Sequence, residues 1–119
     1  MTIQECYESF GGDFADVSQR IPTDELIQRF ALKFLDDKSY ENLAAELKRD
    51  DMDQAFRAAH SLKGVSLNLS FKNLGNSASA LTEELRHWET APVDKARCQE
   101  LFKQVSVDYE AVITAIKQL

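Results

Sequence analysis

Glycine and proline are scarce in this sequence, which contains four glycines and two prolines among its 119 residues. These two residue types interrupt regular secondary structure most strongly, so their scarcity leaves room for long elements. Between them, apolar residues recur at intervals of three and four positions, which is the spacing of one helix face. The sequence therefore predicts an all-α fold.

Long apolar runs are also missing, since the longest uninterrupted ones contain only two or three residues. A membrane-spanning helix needs about 20 apolar residues, so we expect no span and no membrane partner. The N-terminal residues 1–5 lack the basic start and apolar core of a secretory signal. We accordingly expect a cytoplasmic location.

Cysteine and histidine occur only twice each, as Cys6, Cys98, His60 and His87. The cysteines form neither a CxxC pair nor a cluster of metal ligands, and disulfides are rare in the cytosol. We interpret both as buried or idle thiols. A metal enzyme is disfavoured as well, because the acidic residue nearest to His60, Asp53, lies seven positions away.

The overall charge is negative, with 14 basic and 20 acidic side chains and a net charge of −6. Such a chain repels a polyanion unless its positive charges are gathered in one place, so nucleic acid is not an expected partner. Apolar residues make up 44% of the sequence, an ordinary value for a folded protein. The length suits one domain with a single core.

The apolar pattern first predicts short amphipathic helices over 2–10 and 13–21, closed by Pro22. Thr23 or Asp24 can cap the next helix, whose stripe is Leu26, Ile27, Phe30, Phe34 and Leu35. Residues 36–39 interrupt this stripe. Either Ser39 caps a separate helix there, or one kinked helix runs from 24 to 49.

Three further helices are predicted, over about 52–69, over 71–88, and from the segment after Pro92 to the end. Ser70 can cap the middle one. Their inward positions are Met52, Ala55, Phe56, Ala59, Leu62, Ser66 and Leu69 in the first, Leu74, Ala78, Leu81 and Leu85 in the second, and Leu101, Phe102, Val105, Tyr109, Val112, Ile113 and Ile116 in the third.

Long amphipathic helices with short connections pack as antiparallel neighbours. The predicted architecture is an antiparallel up-and-down four-helix bundle over residues 23–119. An N-terminal helical appendage over residues 1–22 packs on it, and together they form one domain.

One stretch of this acidic chain is positively charged. No Asp or Glu occurs from Gln54 to Thr82, where Arg57, Lys63 and Lys72 give a charge of +3, while the other 90 residues carry −9. The stretch is either an ordinary solvated face or a binding surface. Its position around a histidine favours the second interpretation.

His60 shares one surface of the 52–69 helix with residues one turn away, including Phe56, Arg57, Lys63 and Gly64. An exposed neutral imidazole is a competent nucleophile, and a nearby ammonium can pair with negative charge placed on it. Glycine inside a helix costs about 1 kcal/mol relative to alanine, so something must approach closely at Gly64. Gly64 either touches another helix of the bundle or faces outward and admits a partner.

The segment His60-Ser61-Leu62-Lys63-Gly64, preceded by Asp51 and Ala59 and followed by Asn68-Leu69 and Leu74, resembles the signature of histidine-containing phosphotransfer (HPt) domains. The resemblance covers about residues 26–85. Two departures occur: Ser70 stands where a glycine commonly follows the Asn-Leu pair, and Val65 stands where Ser or Ala is usual.

The resemblance implies that His60 accepts a phosphoryl group on Nε2 from a receiver-domain aspartate and passes it to another receiver aspartate. Lys63 would balance the phosphoryl charge, and Gly64 would admit the receiver. The chain would be a phosphoryl carrier without ATP-dependent kinase activity. It would bind no cofactor of its own, because the receiver supplies Mg²⁺.

The implied partners are response-regulator receiver domains and a hybrid sensor histidine kinase. Receivers present an acidic pocket ringed by apolar surface, so Phe56, Arg57, Leu67 and Lys72 are docking candidates, although Phe56 is equally suited to the core. A monomer suffices for such a carrier. The alternative is a helical adaptor that binds a partner without phosphorylation.

Overall fold

The computed structural model describes all 119 residues, and every regular element in it is helical. Seven α-helices follow one another along the chain, with a 3₁₀ turn over Phe34–Asp36 between the third and the fourth. They are α1 (Ile3–Ser9), α2 (Phe14–Arg20), α3 (Asp24–Lys33), α4 (Ser39–Lys48), α5 (Met52–Asn68), α6 (Lys72–Leu85) and α7 (Lys95–Ile116). The predicted all-α class is confirmed. None of these helices is both long and apolar enough to cross a bilayer.

The last four helices form the bundle. α5 packs against both α4 and α6, and α6 packs against α7. Aromatic contacts between α4 and α7 close the ring: Tyr40 and Tyr109 stack with their ring centres 3.9 Å apart. The Tyr40 hydroxyl also donates a 2.9 Å hydrogen bond to the Ser106 hydroxyl. Connections of three residues join α4 to α5 and α5 to α6, and a longer one, after Leu85, joins α6 to α7. Since each consecutive pair packs side by side, the bundle runs up and down as predicted.

The predicted apolar faces of α5 and α6 point into the core. In α6, all four predicted positions are buried, as are five of the seven in α5. Helix α5 is capped by Asp51, whose carboxylate accepts a 3.1 Å hydrogen bond from the amide of Gln54.

Both cysteines are buried and unpaired, as expected, and burial raises the pKa of each thiol.

The stripe predicted for α3 is wrong at one position. Phe30 is 41% exposed, and Ala31 takes the buried place beside Ile27 and Phe34. These three buried residues follow the spacing of four and three that one helix face requires, whereas Phe30 projects from its edge. The ammonium of Lys33 lies 5.8 Å from the centre of the Phe30 ring, a cation–π contact at the surface.

Between α3 and α4 the helix is broken rather than kinked. After the 3₁₀ turn, Asp37 adopts an extended conformation, with φ −71° and ψ 132°. Its carboxylate accepts a 2.8 Å hydrogen bond from the amide of Ser39. Ser39 is therefore the first residue of α4 and not its cap, which is Lys38.

The N-terminal helices are fixed to the turn between α5 and α6 by hydrogen bonds. The amide of Asp13 donates to the carbonyl of Ser70 at 2.8 Å, and the amide of Asn73 donates to the carbonyl of Gly11 at 3.2 Å. The buried hydroxyl of Tyr7 donates to the carbonyl of Leu69 at 2.7 Å. Backbone groups at helix ends have no partner within their own helix, so α1 and α2 supply the missing partners.

Ser70 does not cap α6, contrary to the sequence-based prediction. The residue that caps α6 is Phe71, which makes no side-chain capping bond. Ser70 has φ +58°, the left-handed conformation that favours glycine. Its hydroxyl instead donates to Asp16 at 2.6 Å and accepts a hydrogen bond from Arg20, so both partners come from α2.

A continuous chain of aromatic contacts crosses the core from the N-terminal helices to the bundle. Successive ring centres lie within 6 Å of one another. In spatial order the rings are Phe14, Tyr7, Phe10, Phe71, Phe34, Tyr109, Tyr40 and Phe102. Residues 1–22 therefore share one apolar core with the bundle.

Candidate functional site

His60 lies near the middle of α5 with its side chain exposed to solvent. Its neighbours Ala59 and Leu62 are fully buried, which fixes the orientation of the helix and turns the imidazole outward. The ring of Phe56, one turn earlier, lies 6.0 Å from the imidazole ring, centre to centre. Phe56 is half-buried, so one side of its ring packs on the core and the other adjoins the histidine.

Gly64 lies one turn after His60, and its surroundings distinguish the two interpretations left open by the sequence. A Cβ atom placed on Gly64 would meet no atom within 4 Å. The glycine is exposed and makes no close contact with another helix of the bundle. Internal packing therefore does not require glycine here, and the open space above it is accessible to another molecule.

Lys63 is the neighbouring cation that remains free. It takes part in none of the ion pairs of the structure. Arg57, in contrast, donates to the carboxylate of Asp53 at 3.1 Å, one residue outside the acid-free stretch. The positive charge expected on residues 54–82, which form most of the α5–α6 hairpin, is thus partly neutralised, and Lys63 carries a free charge one turn from His60.

A groove of about 510 Å³ runs along the His60 side of the α5–α6 pair. Its walls are formed by Asp53, Phe56, Arg57, His60, Ser61, Arg86, Trp88 and Glu89. Two of the predicted docking residues, Phe56 and Arg57, therefore border the same groove as the histidine. The groove is mixed in character, with two aromatic rings and charges of both signs.

The sequence did not predict the wall of the groove opposite His60. This far wall consists of Arg86, Trp88 and Glu89. Helix α6 ends at Leu85, earlier than the predicted end near Trp88. Arg86 and Trp88 therefore lie in the turns that follow it, and Trp88 is half-buried against the groove. The antiparallel pairing of α5 and α6 explains why these residues reach the site. Leu67 lies against Gly75, and moving eleven residues back along α5 and eleven forward along α6 brings Phe56 opposite residue 86.

Arg86 makes the closest ionic contact of the far wall. Its guanidinium donates to the carboxylate of Glu83 at 2.8 Å and lies 5.5 Å from the centre of the Phe56 ring. The hydrogen bond from Arg86 lowers the pKa of Glu83, and the charges of Arg86, Lys63 and His87 lower it further. Lys63 and Arg86 thus both act on one carboxylate beside the site.

The two remaining docking candidates lie at the other end of the hairpin. Leu67 is 44% exposed, and its side chain lies over Gly75, where an added Cβ would stand 2.7 Å from Leu67 Cδ2. Lys72 is exposed but borders a different groove, together with Glu8 and Asp13 of the N-terminal segment. The four candidates therefore form two separate groups.

The side chains that could bind a metal ion are not gathered in one place. No three His, Cys, Asp or Glu side chains cluster in a way that could hold a metal ion. The second histidine, His87, is exposed in the turns after α6, and its carbonyl accepts hydrogen bonds from the amides of Thr90 and Ala91. Asp51, part of the motif, serves as the cap of α5.

The fold and the site define a helical bundle in which an exposed histidine, His60, lies beside a free lysine and an unobstructed glycine on one helix. The sequence model of the Hpt domain family matches residues 34–118, which is well over half of the chain. The chain therefore belongs to the Hpt domain family, whose members are phosphocarriers in two-component systems and not kinases. Searches of curated proteins and of solved structures gave no significant match.

Proposed function

We propose that this chain is a histidine phosphotransfer protein in which His60 accepts a phosphoryl group from a receiver-domain aspartate and passes it to another receiver aspartate. The open space at Gly64 is the observation that carries the proposal. A helix-interior glycine whose Cβ position is open to solvent is not required by internal packing, which supports the close approach of a partner at this point.

In the proposed transfer, the lone pair on Nε2 of His60 attacks the phosphorus of the aspartyl phosphate. The bond between phosphorus and the aspartate oxygen breaks, and the carboxylate leaves with the electron pair. Lys63 balances the charge of the phosphoryl group on the imidazole, because an ammonium forms strong charge-assisted hydrogen bonds to phosphate oxygens. The reverse sequence of steps delivers the group to the next receiver.

The proposed partners are receiver domains of response regulators and a hybrid sensor histidine kinase. Phe56 and Arg57 contact the receiver beside His60, and Leu67 and Lys72 contact it at the far end of the hairpin. The receiver supplies the Mg²⁺ that phosphoryl transfer requires. This chain acts as a cytoplasmic monomer with no cofactor and no ATP-dependent kinase activity of its own.

The decisive experiment incubates the purified protein with phosphorylated receiver domains and Mg²⁺ and follows acid-labile phosphate on this chain. We expect label on the wild type and none on His60→Gln. His87→Gln is the matched control, because it removes the only other histidine, also exposed, and should keep the label. Label on neither wild type nor control, with binding retained, would favour the non-phosphorylated adaptor.

A further inference from the structure

The ion pair between Glu83 and Arg86 lies beside the His60 groove and has an unusual number of hydrogen bonds for a surface pair. Arg86 donates through Nη2 to Oε1 at 2.8 Å and through Nε to Oε2 and Oε1 at 3.1 and 3.2 Å. Such a bidentate arrangement fixes the guanidinium in place. The pair therefore holds Arg86 over Phe56 at the edge of the groove.

The Phe56 ring links this pair to the histidine. The guanidinium carbon of Arg86 lies 5.5 Å from the centre of that ring, and the imidazole of His60 lies 6.0 Å from the same centre. Arg86 and His60 also line the same groove. An arginine side chain is long, so once Glu83 releases the guanidinium it can extend toward a group attached to the imidazole.

The cations that a phosphoryl group on His60 would attract also act on Glu83, although only Arg86 is in contact with it. Its pKa is lowered by Arg86, by Lys63 from α5 and by His87 from the turn after α6. Lys63 has no ion-pair partner of its own within 4 Å. A new dianion beside His60 would therefore compete with Glu83 for Arg86, whereas Lys63 is already free to pair with it.

Building on the proposed function, we propose that Glu83 is a positioning residue that limits the lifetime of phosphorylated His60 by holding Arg86. In the unmodified protein, Glu83 occupies the guanidinium. After phosphorylation, Arg86 is shared between the carboxylate and the phosphoryl oxygens. Glu83 thereby weakens the stabilisation of the phosphohistidine and keeps the group ready for transfer.

The chemistry of hydrolysis gives the direction of the effect. Water attacks phosphorus, its hydroxyl becomes part of inorganic phosphate, and the bond from phosphorus to Nε2 breaks as the nitrogen takes the remaining proton. The transition state is loose and metaphosphate-like. The leaving imidazole must take a proton as the bond breaks, and a guanidinium close to the ring disfavours this extra positive charge, so a free Arg86 lengthens the lifetime.

The test needs no receiver domain. Phosphoramidate phosphorylates exposed histidines directly, so every variant also carries His87→Gln, which leaves His60 as the only histidine. Nε2 attacks phosphorus, ammonia leaves with the electron pair of the broken phosphorus–nitrogen bond, and the imidazole releases a proton to water. The half-life of the product is then followed by ³¹P NMR after the reagent is removed. Circular dichroism melting checks that each variant is folded.

We expect Glu83→Gln to lengthen the half-life about twofold to fivefold, because it releases Arg86 from an exposed ion pair. Arg86→Ala should shorten it by a similar factor. The double variant should match Arg86→Ala, because Glu83 acts through Arg86. Glu25→Gln and Arg29→Ala are matched controls, since they disrupt another exposed surface pair one helical turn apart, on α3.

Half-lives of Glu83→Gln and Arg86→Ala that differ from wild type no more than those of the α3 controls would overturn the inference. The same holds if Glu83→Gln lengthens the half-life as strongly without Arg86. Failure of the proposed function is recognised separately: receiver domains would then transfer no phosphoryl group to this chain, while phosphoramidate would still modify the exposed imidazole of His60.

Discussion

The hydroxyl of Tyr7 donates a 2.7 Å hydrogen bond to the carbonyl of Leu69, which joins the first helix to the end of the helix that carries His60. Both residues are buried, and they are 62 positions apart in sequence. A helix leaves its last carbonyl groups without internal partners, and a buried unpaired carbonyl is costly. The N-terminal segment thus completes the hydrogen bonding of the hairpin that presents the site.

Removal of the Tyr7 hydroxyl should destabilise the protein. Tyr7→Phe leaves the Leu69 carbonyl buried and unpaired, so we expect the free energy of unfolding to fall by about 1–3 kcal/mol near neutral pH. Urea denaturation measures the change. Tyr109→Phe is the control, because Tyr109 is only half-buried. An equal loss in both variants would contradict the importance of this bond.

The same tyrosine predicts a loss of stability in alkali. Burial raises the pKa of Tyr7 above its ordinary value, so the folded state favours the neutral phenol. A raised pKa contributes stability below the unfolded value of about 10, and this contribution is lost as pH rises further. The stability gap between wild type and Tyr7→Phe should therefore narrow above about pH 10. A gap that stays constant in urea denaturation across that range would exclude the effect.

Gly64 should show a conflict between stability and function. Gly64→Ala adds a Cβ in open space within a helix, so we expect about 1 kcal/mol of added stability. Gly64→Gln should also stabilise the helix but slow receiver transfer about tenfold or more, because overpacking an interface costs 1.4 kcal/mol or more. Thermal melting and single-turnover transfer are the measurements.

Gly75 is the matched glycine on the neighbouring helix. An added Cβ would stand 2.7 Å from Leu67 Cδ2, so the leucine side chain must move. We expect Gly75→Ala to be about 1 kcal/mol less favourable than Gly64→Ala, although both replace a helical glycine. Equal stabilisation at the two positions would mean that Leu67 moves without cost.

Substitutions at Ser70 should separate backbone strain from hydrogen bonding. Ser70→Gly relieves the left-handed conformation, a gain of about 1 kcal/mol that offsets a similar loss from the missing hydroxyl bonds. Ser70→Ala loses the bonds and keeps the strain, so alanine should be worse than glycine by about 1 kcal/mol. Denaturant unfolding measures both variants.

Ser77 supplies the opposite case. It is also nearly buried, but it lies within α6, where its hydroxyl donates to the carbonyl of Leu74. In a helix interior, glycine is about 1 kcal/mol less favourable than alanine. The order of stability at Ser77 should therefore be alanine above glycine, the reverse of the order at Ser70. The same order at both sites would contradict the backbone argument.

Charge at the groove should affect receiver docking. Arg57→Ala removes a cation beside His60 and should weaken binding of an acidic receiver up to about fivefold, with a smaller effect at high salt. Lys103→Ala is the control, because Lys103 is exposed on α7. Titration calorimetry at two salt concentrations measures both. An Arg57→Ala loss that does not change with salt would indicate packing instead of charge.

The sequence predicted the helices well because the residues that a helix buries follow from its period of 3.6 residues. The spacing of Leu74, Ala78, Leu81 and Leu85 depends only on helical geometry, and all four are buried. The break before Ser39 was undecided because it depends on how one carboxylate, that of Asp37, meets a backbone amide. Phe30 was misplaced because an aromatic ring at the edge of a stripe can turn either way.

The part of the site that lies on α5 was predicted from the sequence, because it too depends only on helical spacing. Residues one turn from His60, including Lys63 and Gly64, lie on one helix and follow from its period. Arg86 and Trp88 come from the neighbouring helix end, so their approach depends on where α6 stops and how it pairs with α5. The conformation of Ser70 depends on Asp16 and Arg20, which are 54 and 50 positions away along the chain.

The aromatic chain through the core gives the protein two separable optical signals. All three tyrosines, Tyr7, Tyr40 and Tyr109, belong to that chain, whereas the single tryptophan, Trp88, borders the groove. Tryptophan emission will therefore respond to events beside His60, and tyrosine near-ultraviolet dichroism to loosening of the core. One unlabelled sample can thus distinguish occupancy of the groove from partial unfolding.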